Sequence, residues 1–259
     1  MNALLGFDGR LVIGHRGAAA EAPENTLESF RLALAQGADA LEFDVHLSAD
    51  GVPVVVHDPD LRRTTDRDGL VAALTVAELQ AADAGARFSA DGGRTFPWRG
   101  RGVRIPTLDE VVRELADVPL LIELKTVACQ EPVRRILERH RATARCVPAS
   151  ALDAALESFR AAGIRYGASM NEIARLYFGT ACGLAPARPR FALLAVPHRH
   201  RGLTVPTGWF LRAARRLGVP VHVWTVDDPR LARTLWARGA AGIVTNRPGA
   251  LVEARARGA

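Results

Sequence analysis

Short apolar, β-rich runs alternate with amphipathic helical stretches along almost the whole chain, and no other feature restricts the fold as strongly. The runs fall at Leu11–Gly14, Ala40–His46, Leu120–Leu124, Ala144–Val147, Ile164–Ala168, Phe191–Val196, Val219–Val226 and Gly242–Thr245. Between them, Asn25 with Glu28 three residues on, and Asp228 before Pro229, read as helix starts. Gly37, Gly163, Gly218 and Gly239 read as helix stops. Such alternation builds parallel βαβ units, and eight of them can close into a ring. The expected fold is therefore α/β, a (β/α)8 TIM barrel. No GxGxxG turn follows the first run, which disfavours a doubly wound open sheet. A chain of 259 residues suits one such barrel, so a single domain over 1–259 is expected.

One stretch breaks the rhythm. Between His57 and Leu120 the sequence offers only two short helices, each opened by a capping box, Thr75 with Glu78 and Thr107 with Glu110. Residues of about 58–106 are expected as an insertion between the second strand and its helix. At the C-terminal face of a barrel, that is where a substrate-covering segment belongs.

Composition narrows the partners. The net charge is +6, yet 33 of the 34 basic residues are arginines scattered in pairs such as Arg62-Arg63 and Arg215-Arg216; Lys125 is the lone lysine. No reading helix, aromatic platform or basic tail accompanies them, so nucleic acid is not the expected partner. No apolar run approaches the ~20 residues of a membrane span, and the N-terminus lacks the basic and apolar regions of a signal peptide. Cys129, Cys146 and Cys182 are odd in number and lack metal spacing, which suits reduced thiols and a cytoplasmic protein.

The chemistry concentrates in the first three barrel strands. In Ala40–Val45 the residues Leu41, Phe43 and Val45 share one face while Glu42 and Asp44 share the other. With the apolar face against helices, both carboxylates point into the barrel, where they repel unless a cation holds them. The following Ser48-Ala49-Asp50-Gly51 is a hairpin signal. A two-residue Asp-Gly loop would set His57 across from Asp44, and any tight hairpin returns His57 toward the carboxylates. His15 and Arg16 end the first strand, where barrels place catalysis, flanked by glycines that permit close backbone approach to a ligand. In Leu121–Lys125 the side chains of Glu123 and Lys125 share the inward face. The lysine could equally form a plain ion pair with Glu42 or Glu123. Three hard oxygen donors suit Mg²⁺ or Ca²⁺ rather than zinc. A cation beside Arg16 and Lys125 describes a phosphate receptor, and two imidazoles can move protons near neutral pH.

These residues resemble the motifs of the glycerophosphodiester phosphodiesterase family, in order and approximate spacing. The matching segments are His15-Arg16-Gly17, Pro23-Glu24-Asn25-Thr26, Glu42-Phe43-Asp44, His57-Asp58, Glu123-Leu124-Lys125, Val223-Trp224-Thr225-Val226 and Thr245-Asn246-Arg247-Pro248. The resemblance implies hydrolysis of glycerophosphodiesters to sn-glycerol 3-phosphate and an alcohol, with one divalent cation. It implies that Glu42, Asp44 and Glu123 bind the metal, that His15 and His57 form the acid–base pair in either assignment, and that Arg16 and Lys125 hold phosphate. Trp224 would line the glycerol pocket. The chain departs from the pattern at Pro148–Ala151, where the family often has Ser-Phe, and at Asn246, where it often has Asp; neither is expected to touch the catalytic set. His198 and His200 read as an exposed loop cluster or as groups meeting the leaving alcohol. His222 reads as a core histidine or as a support of the site, while His46 and His140 read as structural or solvated. A lysophospholipase D acting on lipid substrates would use an apolar surface near the insertion, with Phe88, Phe96 and Trp98 as candidates. A non-catalytic phosphate-binding barrel would be favoured by a missing catalytic residue, and none is missing from the expected set.

Overall fold

A computed structural model describes residues 2–7, 9–184 and 189–257. In chain order its first half holds β1 (Leu11–His15), α1 (Leu27–Ala35), β2 (Ala40–Leu47), β3 (Pro53–Val55), α2 (Val76–Gln80), α3 (Leu108–Glu114), β4 (Leu120–Leu124), α4 (Gln130–Arg139) and β5 (Cys146–Ala149). Then follow α5 (Glu157–Ala161), α6 (Met170–Ala181), β6 (Leu194–Pro197), the hairpin β7 (Arg199–His200) and β8 (Leu203–Thr204), α7 (Gly208–Arg216), β9 (Val221–Trp224), α8 (Pro229–Ala237), β10 (Gly242–Thr245) and α9 (Pro248–Ala256).

The parallel strands hydrogen-bond in the order β5-β4-β2-β1-β10-β9-β6, a sheet curled into the expected barrel. The gap between β5 and β6 is spanned by residues 166–168. Gly167 donates to Pro148 (2.8 Å), Ala168 to Leu193 (3.0 Å), and Ala192 to Tyr166 (2.8 Å). The run Ile164–Ala168 is thus a single parallel bridge, Gly167 to Leu193, and not a full strand. A Cβ on Gly167 would lie 3.0 Å from Ala149 Cβ and 3.2 Å from the Leu193 side chain, so the chain passes here closely enough that a side chain would have to push its neighbours aside.

Burial follows the pleat. Leu41, Phe43 and Val45 face outward and pack with Phe30 and Ala33 of α1 and Val111 and Val112 of α3. The Phe30 and Phe43 rings stand 5.3 Å apart. Each such side chain contributes about 1.5–3 kcal/mol on burial. Inside the barrel, Leu11, Ile13, Ala40, Leu121, Val147, Leu193 and Val244 form a second cluster, closed at the strands' N-terminal end by Leu4. Strand interiors above this plug are free to carry polar groups. His222, fully buried, donates Nε2–H to Leu4 O (2.8 Å) at that lower end, so it is a core histidine; burial pushes it down to about 4.

The capping boxes at Thr75 and Thr107 both form, and Asp228 caps α8 ahead of Pro229. Asn25 does not cap α1. Thr26 does, accepting from Ser29 N, while Asn25 takes a left-handed φ of +59°. The hairpin after β2 also differs by one residue from the expected register: Val45 pairs with Val55 and Leu47 with Pro53. Ser48 N donates to Val52 O, so the loop is Ala49-Asp50-Gly51, ending in Gly51 at φ +74°. Asp-Gly serves this three-residue turn as well as a two-residue one. Beyond β3, residues 58–106 carry an apolar cluster of their own, including Leu61, Val71, Leu79, Val103 and Ile105, joined to Val54 and Val56.

Candidate active site

The strand order sets β1, β2 and β4 side by side, and the register levels their reactive residues. His15 is paired with Glu42 and Asp44 with Glu123. The chain then reverses sharply after β1: Arg16 has φ +52° and Gly17 φ +89°. A Cβ on Gly17 would fall 2.3 Å from Ser29 Oγ and 2.6 Å from Ser29 C. This glycine permits a close approach to α1. It turns the Arg16 side chain back over β2, where Nε lies 3.0 Å from Asp44 Oδ2 and Nη1 lies 2.9 Å from Glu24 Oε1.

A cavity of about 260 Å³ opens over these strand ends. His15, Arg16, Glu42, His57, Glu123 and Lys125 line one side, and Trp224 lies on its wall, followed by a cis peptide bond to Thr225. All of the residues expected to act are brought together here except that Asp44 lies beneath the cavity floor, 1% exposed. The hairpin places His57 in this cavity despite its shifted register, because His46 Nε2–H donates to the His57 carbonyl (3.0 Å) and fixes the turn of the chain after β3. His46 is thus structural, as is His140, whose Nε2 meets Asp109 at 2.6 Å. His198 and His200 are not among the cavity-lining residues.

Carboxylate oxygens of Glu42, Asp44 and Glu123 lie within 4.8 Å of one another. Lys125 Nζ bridges two of them, 2.7 Å from Asp44 Oδ1 and 2.9 Å from Glu123 Oε2. The lysine's ion pair is therefore with Asp44 and Glu123 and not with Glu42. Burial alone would raise Asp44, but Lys125, Arg16 and the hydrogen bond from Asn25 Nδ2 (3.0 Å) hold it down at about 2. Glu42 is the opposite case. Burial, then Asp44, then Glu123 push it well above the ordinary carboxylate range, and Arg16 and Lys125 do not compensate. A buried acid beside two others keeps its charge only if a further cation arrives, so the donor set fits a divalent ion. With only carboxylate oxygens among its donors, it fits a hard one.

Each imidazole has a fixed partner. His15 Nδ1 lies 2.7 Å from Asn246 Oδ1. The Asn246 amide is oriented by Asp227, which accepts both its Nδ2–H (2.8 Å) and its backbone N–H (2.7 Å). Asn246 must then present its oxygen, so His15 carries hydrogen on Nδ1 and leaves Nε2 as an acceptor, 3.9 Å from Glu42. Burial and then the neighbouring Arg16 lower the His15 pKa, keeping the ring neutral. Asn246 thus touches His15 of the expected catalytic set, where no contact was expected. His57 Nδ1 meets Asp58 Oδ1 at 2.6 Å, an acceptor, so its Nε2 is likewise the free nitrogen. Sequence reasoning did not single out Asn25, Asp58, Asp227 or Asn246 as supports. Asn25, Asp58 and Asn246 all fall within the quoted motif segments, which could have signalled them; Asp227 falls in none.

This arrangement of acids, imidazoles and cations can be set beside known proteins. Residues 15–250 match the Glycerophosphoryl diester phosphodiesterase family. The chain belongs to this family. A glycerophosphodiester phosphodiesterase of Caldanaerobacter subterraneus subsp. tengcongensis is 28% identical over 249 residues, covering 93% of this chain and 96% of the relative. Among solved structures, an Oleispira antarctica phosphodiesterase in complex with the product sn-glycerol-3-phosphate superposes with a TM-score of 0.77 at 29% identity, over 95% of this chain and 96% of that one. The glycerophosphoryl diester phosphodiesterase domain of a Mycobacterium tuberculosis protein shares the fold with a TM-score of 0.85 at 24% identity, covering 96% of this chain and all of that one. The matched span runs from His15 past Asn246 and so includes both imidazoles and the residues that contact them. Among the described residues, no helix of this family member is long and apolar enough to cross a membrane.

Proposed function

We propose that the protein hydrolyses glycerophosphodiesters to sn-glycerol 3-phosphate and an alcohol, in the cytoplasm, with one Mg²⁺ or Ca²⁺ held by Glu42, Asp44 and Glu123. The observation that carries the reading is the convergence of these three carboxylates within 4.8 Å, two of them, Glu42 and Glu123, lining the cavity that His15, His57, Arg16 and Lys125 share. When bound, the ion would neutralise the phosphodiester oxygens and the charge that develops on them.

The remaining steps belong to side chains. Arg16 and Lys125 receive the phosphate, their positive charge already held in place by Asp44. His15 is neutral and keeps a free Nε2, which suits it to take a proton from the attacking hydroxyl. His57 faces the Asp58 carboxylate, which suits it to carry a proton and deliver it to the leaving oxygen. Trp224 gives the glycerol or alcohol moiety a flat wall. Residues 1–259 act as one catalytic barrel, with 58–106 appended to the site's edge. The partner is a small glycerophosphodiester, not nucleic acid.

A second reading has a specific observation behind it. Part of the cavity lining is apolar, with Ala149, Ala151, Ala168, Met170 and Ile173. That wall suits a lipid-bearing alcohol and a lysophospholipase D activity. It lies away from the insertion: Phe88, Phe96 and Trp98 do not line the cavity, and Phe96 is stacked beneath Arg99 at 4.0 Å. Incubation with a panel of glycerophosphodiesters and lysophosphatidylcholine under EDTA, Mg²⁺ and Ca²⁺, with glycerol 3-phosphate and free alcohol assayed, tests both. Release of glycerol 3-phosphate from the water-soluble diesters, dependent on cation, is expected. Turnover of the lipid alone would favour the second reading, and no turnover of either would reject both.

A further inference from the structure

Arg63 belongs to the segment that follows β3, yet its guanidinium reaches two different parts of the site. Its Nε donates to Asp58 Oδ2 at 2.6 Å, and the other oxygen of Asp58 takes the hydrogen of His57 Nδ1 at 2.6 Å. Its Nη1 and Nη2 donate to the two oxygens of Glu24, each at 2.7 Å. Glu24 Oε1 in turn receives Arg16 Nη1 at 2.9 Å. A continuous series of charge-assisted contacts therefore runs from His57 through Asp58, Arg63 and Glu24 to Arg16. Such bonds are about twice as strong as neutral ones, and the two-pronged contact with Glu24 fixes angle as well as distance. Both acids respond as partners of a guanidinium should. Against the opposing effect of burial, Arg63 holds Glu24 and Asp58 below the usual carboxylate range.

We infer that Arg63 is a positioning residue for this reaction, one side chain that sets the His57 ring and the Arg16 guanidinium at the same time. Among the described residues, Asp58 has His57 as its other side-chain partner, and Glu24 has Arg16, which reaches it through Nη1 alone. A lysine could keep the charge but not span three acceptor atoms in fixed directions. Neighbouring Arg62 offers a control, since it points to Asp68 at the surface with 76% of its side chain exposed.

The inference rests on the roles given above to His57 and Arg16. Wild-type turnover tests those roles, and the ratio of variant to wild type tests this one. Arg63→Ala is expected to lose on the order of 10–100-fold in kcat/KM, as removal of an orienting partner does. The loss should divide between KM, through Arg16, and kcat, through His57. Because 48% of the Arg63 side chain is exposed, the vacated space is open to a small cation. Guanidinium chloride at millimolar concentration should restore part of the lost rate, and sodium chloride at equal ionic strength should not. Arg63→Lys should recover only part of the activity, and Arg62→Ala should match wild type. Activity of Arg63→Ala within roughly threefold of wild type, no relief by guanidinium, or an equal loss in Arg62→Ala overturns the assignment. Should Arg63→Ala fail to fold, Arg63→Lys decides, and full activity in that variant overturns it.

Discussion

In the proposed reaction the two imidazoles do unlike work because their neighbours differ. Asn246 gives His15 a neutral acceptor and burial keeps the ring uncharged, whereas Asp58 gives His57 a carboxylate. Positioned proton transfer contributes about 10²–10⁴-fold. His15→Ala and His57→Ala are each expected to lose at least about a hundredfold in kcat, with circular dichroism and melting temperature close to wild type. Near-normal kcat in either would remove that residue from the reaction. Glu42 makes the complementary point about cost. Its folded-state pKa is raised by burial and then by Asp44 and Glu123, so the folded protein binds a proton that the unfolded chain has released. Above the unfolded value near 4.5 this subtracts from stability, and the subtraction grows as pH rises toward the folded value. In EDTA, Glu42→Gln should therefore melt higher than wild type at pH 8 and no higher at pH 4, measured by thermal denaturation. A lower melting temperature for the variant at pH 8 would contradict the charge balance described.

Elements decide which residues meet. The β1–α1 turn is the least forgiving of them, because Gly17 sits at φ +89° with Ser29 in the space a Cβ would need. Gly17→Ala should cost about 1–3 kcal/mol from backbone conformation alone, with overlap added, and should lower the melting temperature together with activity; an unchanged melting curve would show that the turn relaxes. The alternation of strands and helices was legible because a period of two in Leu41–Val45 and the stops at Gly37, Gly163, Gly218 and Gly239 are local signals. The inward faces of Glu42, Asp44 and Glu123 followed from the same period. What was not legible depended on choices that sequence leaves degenerate. Asp50-Gly51 serves two loop lengths, and the structure uses the longer. Asn25 and Thr26 are both good caps, and Thr26 takes the helix while Asn25 goes to Asp44. The supports Arg63 and Asp227 reach their targets across loops, where no periodicity reports on distance.

At the scale of the molecule, the barrel divides its interior between stability and chemistry. Leu4, Ile13, Leu121 and Val244 fill the lower part, and the charged groups occupy the mouth above them. Asp44 is held near 2 by Lys125 and Arg16, so its contribution to stability is present above the unfolded value of 3.8 and is lost as pH falls toward 2. Arg16 and Lys125 only partly offset the raised Glu42, and the proposed divalent ion would supply the rest. Calorimetric titration of Mg²⁺ or Ca²⁺ into metal-stripped protein tests this most directly. One ion per chain should bind to wild type, with binding lost or greatly weakened in Glu42→Gln and hydrolysis of glycerophosphodiesters restored in step with occupancy. Full hydrolysis in EDTA, or binding that Glu42→Gln leaves unchanged, would contradict it.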